Sequence, residues 1–210
     1  MAYEKNPKFT TPMGTFSWPA FTTPDTRFKD GGEWKTKIVL PASEEAEALV
    51  AKLEALHAES VATACKEQKK KSVKIADMPV TRDDAGNIII NAKQGASGIS
   101  KKTQRPWKWV LPLFDAQGNA IKGTRPKVGN GSTGRISFEV QNFYTAMIGA
   151  GITLRLQAAQ IVDLVEFGGG NAESYGFDKT DGYVAAEDDG VAAEETFKPT
   201  TQGKGTDGDF

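Results

Sequence analysis

The stretch “RISFEVQNFY” (135–144) alternates between apolar and polar residues and decides the fold class of the chain. In an extended strand Ile136 and Phe138 lie on one face, and polar side chains lie on the other. The next segment, “ITLRLQAAQIVDLVEF” (152–167), starts with the same alternation. Its phase slips near residues 158–161, which predicts a β-bulge or a bend at a barrel corner.

Further strands are predicted on the N-terminal side of this region. They are rich in aromatic and β-branched residues and are bounded by turn residues: “GTFSWPAF” (14–21), “EWKTKIVL” (33–40), “NIIINAKQ” (87–94) and “WKWVLPLF” (107–114). About six strands joined by Gly-rich turns predict a small closed or nearly closed barrel.

One long helix is predicted over about residues 43–70. Ser43 is a favourable N-cap, and three glutamates follow it at the positive end of the helix dipole. Apolar residues recur at helical spacing and form one stripe: Ala46, Leu49, Val50, Leu53, Leu56 and Val61. The fold class is therefore mainly β with one long helix (α+β).

Charge is unevenly distributed along the 210 residues, although the net charge is only −1. Residues 1–170 carry 23 Lys and Arg against 17 Asp and Glu, whereas residues 171–210 carry 3 against 10. A basic body with an acidic tail is typical of nucleic-acid-binding proteins, but an ordinary domain with a solubilising tail has the same pattern. We predict a folded domain over 1–170 and a flexible acidic tail over 171–210.

Residues suited to catalysis are scarce, so we expect a protein that is not an enzyme and has no cofactor or metal. His57 is the single histidine and Cys65 the single cysteine, and no cluster of carboxylates at metal-ligand spacing accompanies them. The motif “GNGSTG” (129–134) precedes a strand rather than a helix, so it predicts a turn and not a phosphate loop. With no apolar run of about 20 residues and no export signal, we expect a cytoplasmic protein without a membrane span.

Basic and aromatic residues interleave along the predicted strands and loops. This pattern is typical of proteins that hold single-stranded nucleic acid, in which cations follow the backbone and rings stack on unpaired bases. The same aromatics would equally serve as core residues. The residues concerned are Trp18, Phe21, Trp34, Lys35, Lys37, Lys101, Lys102, Arg105, Trp107, Lys108, Trp109, Arg125, Lys127, Phe143 and Tyr144.

Taken in order, several segments resemble a known family, the single-stranded DNA-binding proteins of tailed bacteriophages. The segments are “GTFSWPAFTTPD” (14–25), “WKTKIVLP” (34–41), “KVGNGSTGRISFEV” (127–140), “GAGITLRLQAAQIVDLVEFGGG” (149–170), “DGYVA” (181–185) and the terminal “DGDF” (207–210). The resemblance implies an OB-fold barrel of five or six strands with an inserted helix. It also implies an acidic tail with an aromatic tip.

The resemblance further implies which residues bind DNA. The matching strand and loops supply Trp34, Lys35 and Lys37, then Lys101, Lys102, Arg105 and Trp107, then Arg135, Phe143 and Tyr144. Tyr144 is the first choice for stacking on a base.

The tail is implied to contact proteins. Its tip, Asp207, Asp209 and Phe210, would dock onto the phage DNA polymerase and primase-helicase, and the tail could also occupy the protein's own basic groove. Lys198 and Lys204 interrupt its acidic character. A homodimer is possible, as in some relatives.

The function expected is coating of single-stranded DNA with low sequence specificity during phage replication, recombination and repair, in the cytoplasm of the infected bacterium. Two alternatives stay open at this point: an OB-fold module for protein–protein interaction, and a protein that binds single-stranded RNA. A nuclease would need clustered carboxylates and a metal.

Overall fold

The computed structural model describes residues 6–100 and 102–166. Within this part of the chain there are ten strands and one helix: β1 (Lys8–Thr10), β2 (Gly14–Asp25), β3 (Glu33–Leu40), α1 (Glu44–Glu67), β4 (Val80–Arg82), β5 (Ile88–Gly95), β6 (Ser97–Ile99), β7 (Pro106–Lys108), β8 (Leu113–Phe114), β9 (Thr133–Thr145) and β10 (Gly149–Asp163).

Five of these strands close into a barrel. The ladder runs β9-β2-β3-β5-β10, and β10 pairs again with β9, so the sheet has no free edge along this path. All pairs in the ring are antiparallel except β5 with β10, which is parallel. This is the connectivity of an OB-fold. The fold class predicted from the sequence is confirmed.

Alternation along the strands fills the barrel interior. In β3, Trp34, Thr36, Ile38 and Leu40 point inwards and are buried, while the intervening side chains face outwards. The same holds for β9, where Ile136, Phe138 and Val140 are buried as predicted. Burial of these aliphatic and aromatic side chains, at about 1.5–3 kcal/mol each, is the main stabilising contribution.

The helix α1 closes one side of this core. Ser43 is its N-cap, and its Oγ accepts the N–H of Ala46 at 3.2 Å, as predicted. Ala46, Leu49, Val50 and Leu53 are buried. Farther along the helix, Ser60 Oγ donates to Gly151 O at 2.8 Å, and His57 Nε2 lies 3.0 Å from Ala76 O. The helix is therefore fixed to the start of β10 by the Ser60 hydrogen bond, and His57 joins it to the segment that leads into β4.

One strand prediction was wrong in its middle. The stretch 107–114 forms only two short strands, β7 and β8, with an irregular segment between them. Pro112 lies in this segment and has no N–H to donate to a ladder. The carbonyl of Leu111 accepts a hydrogen bond from Arg125 Nη2 at 2.7 Å instead of a strand partner. A short apolar run with a proline thus became a loop in which Leu111 is buried and Val110 is exposed, rather than a strand.

The bulge predicted in the last strand is present. The register of β10 against β9 shifts between Leu156 and Ala158 and again between Ile161 and Asp163. The turn predicted for residues 129–134 is also confirmed, since Gly131 has a φ of +89° and β9 starts two residues later. Gly134 is packed so closely that a Cβ there would overlap the carbonyl oxygen of Gln160.

No helix in the described part of the chain is long and apolar enough to cross a membrane. The predicted boundary at residue 170 and the predicted tail lie outside the described residues.

Candidate nucleic-acid interface

A β-bulge in β2 turns the ring of Trp18 out of the barrel. Trp18 and Pro19 together stand opposite one residue of β3, Thr36. The backbone of Trp18 has a φ of +53°, in the left-handed region that bulky residues seldom adopt, and its N–H donates to Asn130 Oδ1. Trp18 is 67% exposed. A large flat aromatic surface therefore faces solvent at a site fixed by the backbone.

Cationic side chains surround this exposed ring. One cleft of about 550 Å³ joins Trp18 to Arg27, Lys35 and Lys127. A second cleft of about 350 Å³ joins Trp18, Arg27 and Lys35 to Lys37. Because the two clefts share three residues, we describe them as one depression and call it the basic trough.

A row of cations crosses three neighbouring strands beside the trough. Lys35 of β3 is in register with Lys93 of β5, and Lys93 is in register with Arg155 of β10. Residues directly opposed in a ladder project to the same face, so these three side chains share the outer surface of the barrel. Lys93 and Arg155 are both exposed. We call Lys35, Lys93 and Arg155 the cation row.

One carboxylate, that of Asp25, lies within the basic trough and pairs with two of its cations. Its Oδ2 is 2.9 Å from Arg27 Nη2 and 2.7 Å from Lys35 Nζ. The hydrogen bonds from the Arg27 side chain, followed by that from Lys35, hold the pKa of Asp25 well below its usual range. Lys35 Nζ also lies 5.7 Å from the ring centroid of Phe28, which is 88% exposed. A second open ring thus stands at the edge of the trough.

Trp34 does not belong to this surface. It is only 4% exposed, its Nε1–H donates to Trp109 O at 3.0 Å, and the guanidinium carbon of Arg125 lies 5.0 Å from its ring centroid. With no open ring face, Trp34 cannot stack on a base in this conformation, and its inclusion among the DNA-contacting residues is corrected. Its neighbours Lys35 and Lys37 line the basic trough as described above.

The ribbon of β6 and β7 is anchored to the loop between β2 and β3. Ser97 Oγ donates to Gly31 O at 2.8 Å, and the N–H of Ala96 donates to Gly32 O at 2.9 Å. The ring of Trp107 lies over Gly98, where an added Cβ would meet ring atoms at 3.2 Å. The same β2–β3 loop carries Arg27 and Phe28, so the ribbon and the basic trough share one loop.

The ribbon carries three of the residues predicted to bind DNA. Lys102 and Arg105 are exposed in the turn between β6 and β7, and Trp107 is 39% exposed. Lys101 lies outside the described residues. One face of Trp107 is therefore covered by the ribbon itself, while part of the indole is accessible from solvent.

The remaining predicted residues lie elsewhere on the barrel. Arg135 is exposed, but it lines a separate cleft of about 230 Å³ with Thr10, Phe114 and Gln160. Phe143 and Tyr144 are half-buried near the tip of the β9–β10 hairpin. The tail residues Asp207, Asp209 and Phe210 lie outside the described residues.

Sequence reasoning missed several residues that the structure brings to the basic trough and the cation row. Trp18 and Lys127 were recognised only as members of the interleaved pattern, and Arg27, Lys93 and Arg155 were not singled out. One signal was available for Trp18, because a proline directly after it inside a strand indicates a bulge. Lys93 and Arg155 had no local signal, since their position depends on the register between distant strands.

A closed OB barrel with clustered cations and an exposed ring defines the class of single-stranded nucleic-acid-binding barrel proteins. The particular family follows from comparison with known proteins. Residues 10–164 match the family model described as “Single-stranded DNA-binding protein, Bacteriophage T7”. The chain belongs to this family of phage single-stranded DNA-binding proteins, which bind DNA without catalysing a reaction.

Individual relatives agree with this assignment. The chain is 29% identical over 113 residues to the single-stranded DNA-binding protein of Enterobacteria phage T3, covering 53% of this chain and 48% of that protein. It is 24% identical over 168 residues to that of Escherichia phage T7, covering 74% of this chain and 72% of that protein. The chain thus matches about half the length of the first relative and nearly three quarters of the second.

Solved structures show the same fold. The crystal structure of gp2.5, a single-stranded DNA-binding protein encoded by bacteriophage T7, superposes with a TM-score of 0.70 at 25% identity, covering 86% of this chain and 100% of that one. The single-stranded DNA-binding protein from bacteriophage Enc34 in complex with single-stranded DNA has a TM-score of 0.51 at 11% identity, covering 77% and 89%. At that identity the second likeness concerns the fold alone.

Proposed function

We propose that this protein coats single-stranded DNA with low sequence specificity along the basic trough. The observation that carries the proposal is Trp18, a large ring held open to solvent by a left-handed bulge among four cations. An exposed ring on a strained backbone lowers the stability of the free protein, so a binding partner for the ring is the simplest reason for the arrangement. Every base has a face that can stack on it, which gives affinity without sequence preference.

The division of labour follows from the chemistry of the side chains. Trp18 stacks on one base, and Phe28 offers a second ring close to Lys35. The cation row and Lys37 contact the phosphates of the DNA. These contacts do not depend on the base sequence, because every nucleotide carries the same phosphate charge. The surface combines rings and cations in the way that single strands require.

The predicted residues outside the trough extend the path. The ribbon contacts the bound single-stranded DNA where the DNA passes the β2–β3 loop. The contacts come from Lys102, Arg105 and Trp107, with Lys101 beside them in sequence. Phe143 and Tyr144 contact the DNA at the β9–β10 hairpin. Arg135 binds a phosphate only if the strand wraps round to its separate cleft.

The biological role proposed is in phage DNA replication, recombination and repair, in the cytoplasm of the infected bacterium. The acidic segment ending in Asp207, Asp209 and Phe210 contacts the phage DNA polymerase and primase-helicase. Family membership and the excess of acidic residues in 171–210 support this proposal.

The test is equilibrium binding, by fluorescence anisotropy, to labelled oligothymidine, with duplex DNA, a matched RNA oligonucleotide and random-sequence DNA as competitors. We expect oligothymidine and random single strands to compete equally and duplex to compete weakly. If the protein binds no nucleic acid, the result favours the alternative function as a protein–protein interaction module. If RNA competes better than DNA, the result favours the single-stranded RNA alternative.

A further inference from the structure

Asp25 stands at the end of β2 inside the basic trough, where an acidic group opposes DNA binding. Its side chain is only 9% exposed. The carboxylate accepts hydrogen bonds from the Arg27 backbone N–H at 2.9 Å, from Arg27 Nε at 3.1 Å and from Arg27 Nη2 at 2.9 Å, and Lys35 Nζ lies 2.7 Å away. Two of the cations beside Trp18 are thus paired with a carboxylate.

The contact with Arg27 uses the same donors that a phosphate would use. Arginine binds carboxylates and phosphates through the fork formed by Nε and one Nη, which is the edge that faces Asp25. The side chain of Arg27 is 74% exposed, whereas that of Lys35 is 28% exposed. The arginine therefore has room to change partner, and the lysine has much less.

Turn formation does not account for this pairing. Asp83 and Asp115 cap comparable turns: each accepts backbone N–H groups two and four residues ahead and an asparagine side chain, and neither forms an ion pair with a cation of the described residues. At Asp25 the equivalent backbone bond from Arg27 needs only Oδ1. The second oxygen, Oδ2, is free of the turn and binds the two cations.

We infer that Asp25 is an internal counter-ion that a DNA phosphate displaces from Arg27. On binding, the guanidinium of Arg27 leaves Asp25 for the phosphate, while Lys35 keeps its contact with Asp25 and faces the DNA with its charge partly neutralised. This inference rests on the proposed function. Asp25 then limits the affinity, because one of the two cations is always partly neutralised by it.

The experiment compares Asp25→Asn with Asp83→Asn. Both variants are nearly isosteric, both keep a side-chain oxygen that can cap the turn, and both raise the net charge by one. They differ in that only Asp25 pairs with cations of the trough. Binding to oligothymidine is measured by anisotropy over a series of salt concentrations, and thermal melting checks that each variant is folded. Asp25→Ser, whose hydroxyl can cap the same turn, is a second neutral variant.

We expect Asp25→Asn to bind about 5- to 10-fold more tightly than Asp83→Asn at low salt, because a negative charge close to the phosphate is removed. The slope of log K against log salt should steepen by about 0.7, since one more phosphate is neutralised fully. Adding Arg27→Gln to Asp25→Asn should remove most of this gain.

Two results would overturn the inference while leaving the proposed function intact: equal affinities of the Asp25 and Asp83 variants, or weaker binding by folded Asp25→Asn and Asp25→Ser. If the wild-type protein bound no single-stranded DNA at all, the proposed function and the inference would both fall.

Discussion

The guanidinium of Arg125 lies 5.0 Å from the ring centroid of the buried Trp34. Arg125 also donates from Nε to Phe21 O at 2.8 Å and from Nη2 to Leu111 O at 2.7 Å. Its partial burial lowers the pKa of the guanidinium, which still stays charged at any ordinary pH. Arg125 and Trp34, two members of the basic and aromatic pattern in the sequence, thus pack on each other and have a structural role.

The two tryptophans of the first strands should respond oppositely to substitution. We expect Trp34→Phe to lower the free energy of unfolding by about 1–2 kcal/mol, because the bond from Nε1 to the Trp109 carbonyl is lost, and to leave the affinity for oligothymidine unchanged. Trp18→Ala should weaken binding by about 1–3 kcal/mol without loss of stability. Urea denaturation and anisotropy measure the two quantities. Unchanged binding by Trp18→Ala would remove the ring from the site.

Removal of charge from the cation row should change the salt dependence. Lys93→Gln and Arg155→Gln should each make the slope of log K against log salt shallower by about 0.7, because each removes one phosphate contact. Lys52→Gln, on the exposed face of α1, changes the net charge equally and serves as the control. Identical slopes for all three variants would mean that the row takes no part in binding.

The β9–β10 hairpin offers a separate test of the aromatic residue predicted for stacking. We expect Tyr144→Ala to weaken binding with the fold intact, as loss of a stacking ring does. The control is Met147→Ala in the same hairpin, a residue that is 84% exposed. A loss no larger than that of the control would exclude Tyr144 from the interface.

Acid should destabilise the protein through its turn carboxylates. The side chain of Asn87 is the main group that lowers the pKa of Asp83, and the backbone N–H of Asn119 is the main group that lowers that of Asp115. A group with a lowered pKa in the folded state stabilises above its unfolded pKa of about 3.9 and loses that contribution as pH falls further. The melting temperature should therefore fall steadily below about pH 4. The double variant Asp83→Asn, Asp115→Asn should show a smaller decline; the same decline would rule out these groups as its source.

The acidic segment 171–210 lies outside the described residues, and a deletion tests its proposed role. Deletion of 187–210 should tighten DNA binding, because a competing polyanion is removed, and abolish association with the phage polymerase. Phe210→Ala keeps every acidic residue and should lose the polymerase while retaining normal DNA binding. If the deletion changes neither assay, the segment serves solubility only.

The sequence was most informative where alternation is strong. Strand β3 was predicted at its observed bounds. Its alternation also indicates that Trp34 is a core residue and not a DNA contact, because Trp34 shares a face with Ile38 and Leu40. The stretch 107–114 was mistaken for a strand because tryptophans and aliphatic residues crowd it without alternation. Pro112, inside this stretch, is a local signal against a continuous strand, and β propensity outweighed it.

The interface was predictable only in part, because much of it depends on contacts between distant segments. Lys35 and Lys37 could be named from one strand, since both lie on its polar face. Lys93 and Arg155 join Lys35 only through the register of three strands that are far apart in sequence. No pattern within a single segment specifies that register.

The left-handed backbone at Trp18 has a consequence for how this protein would change under selection. Glycine adopts such a φ without the steric cost of about 1–2 kcal/mol that a side chain incurs there. Selection for thermal stability alone would therefore favour glycine at this position and remove the aromatic ring. Directed evolution for thermostability therefore has to include selection for DNA binding. Without it, the experiment will yield stable variants that bind DNA weakly.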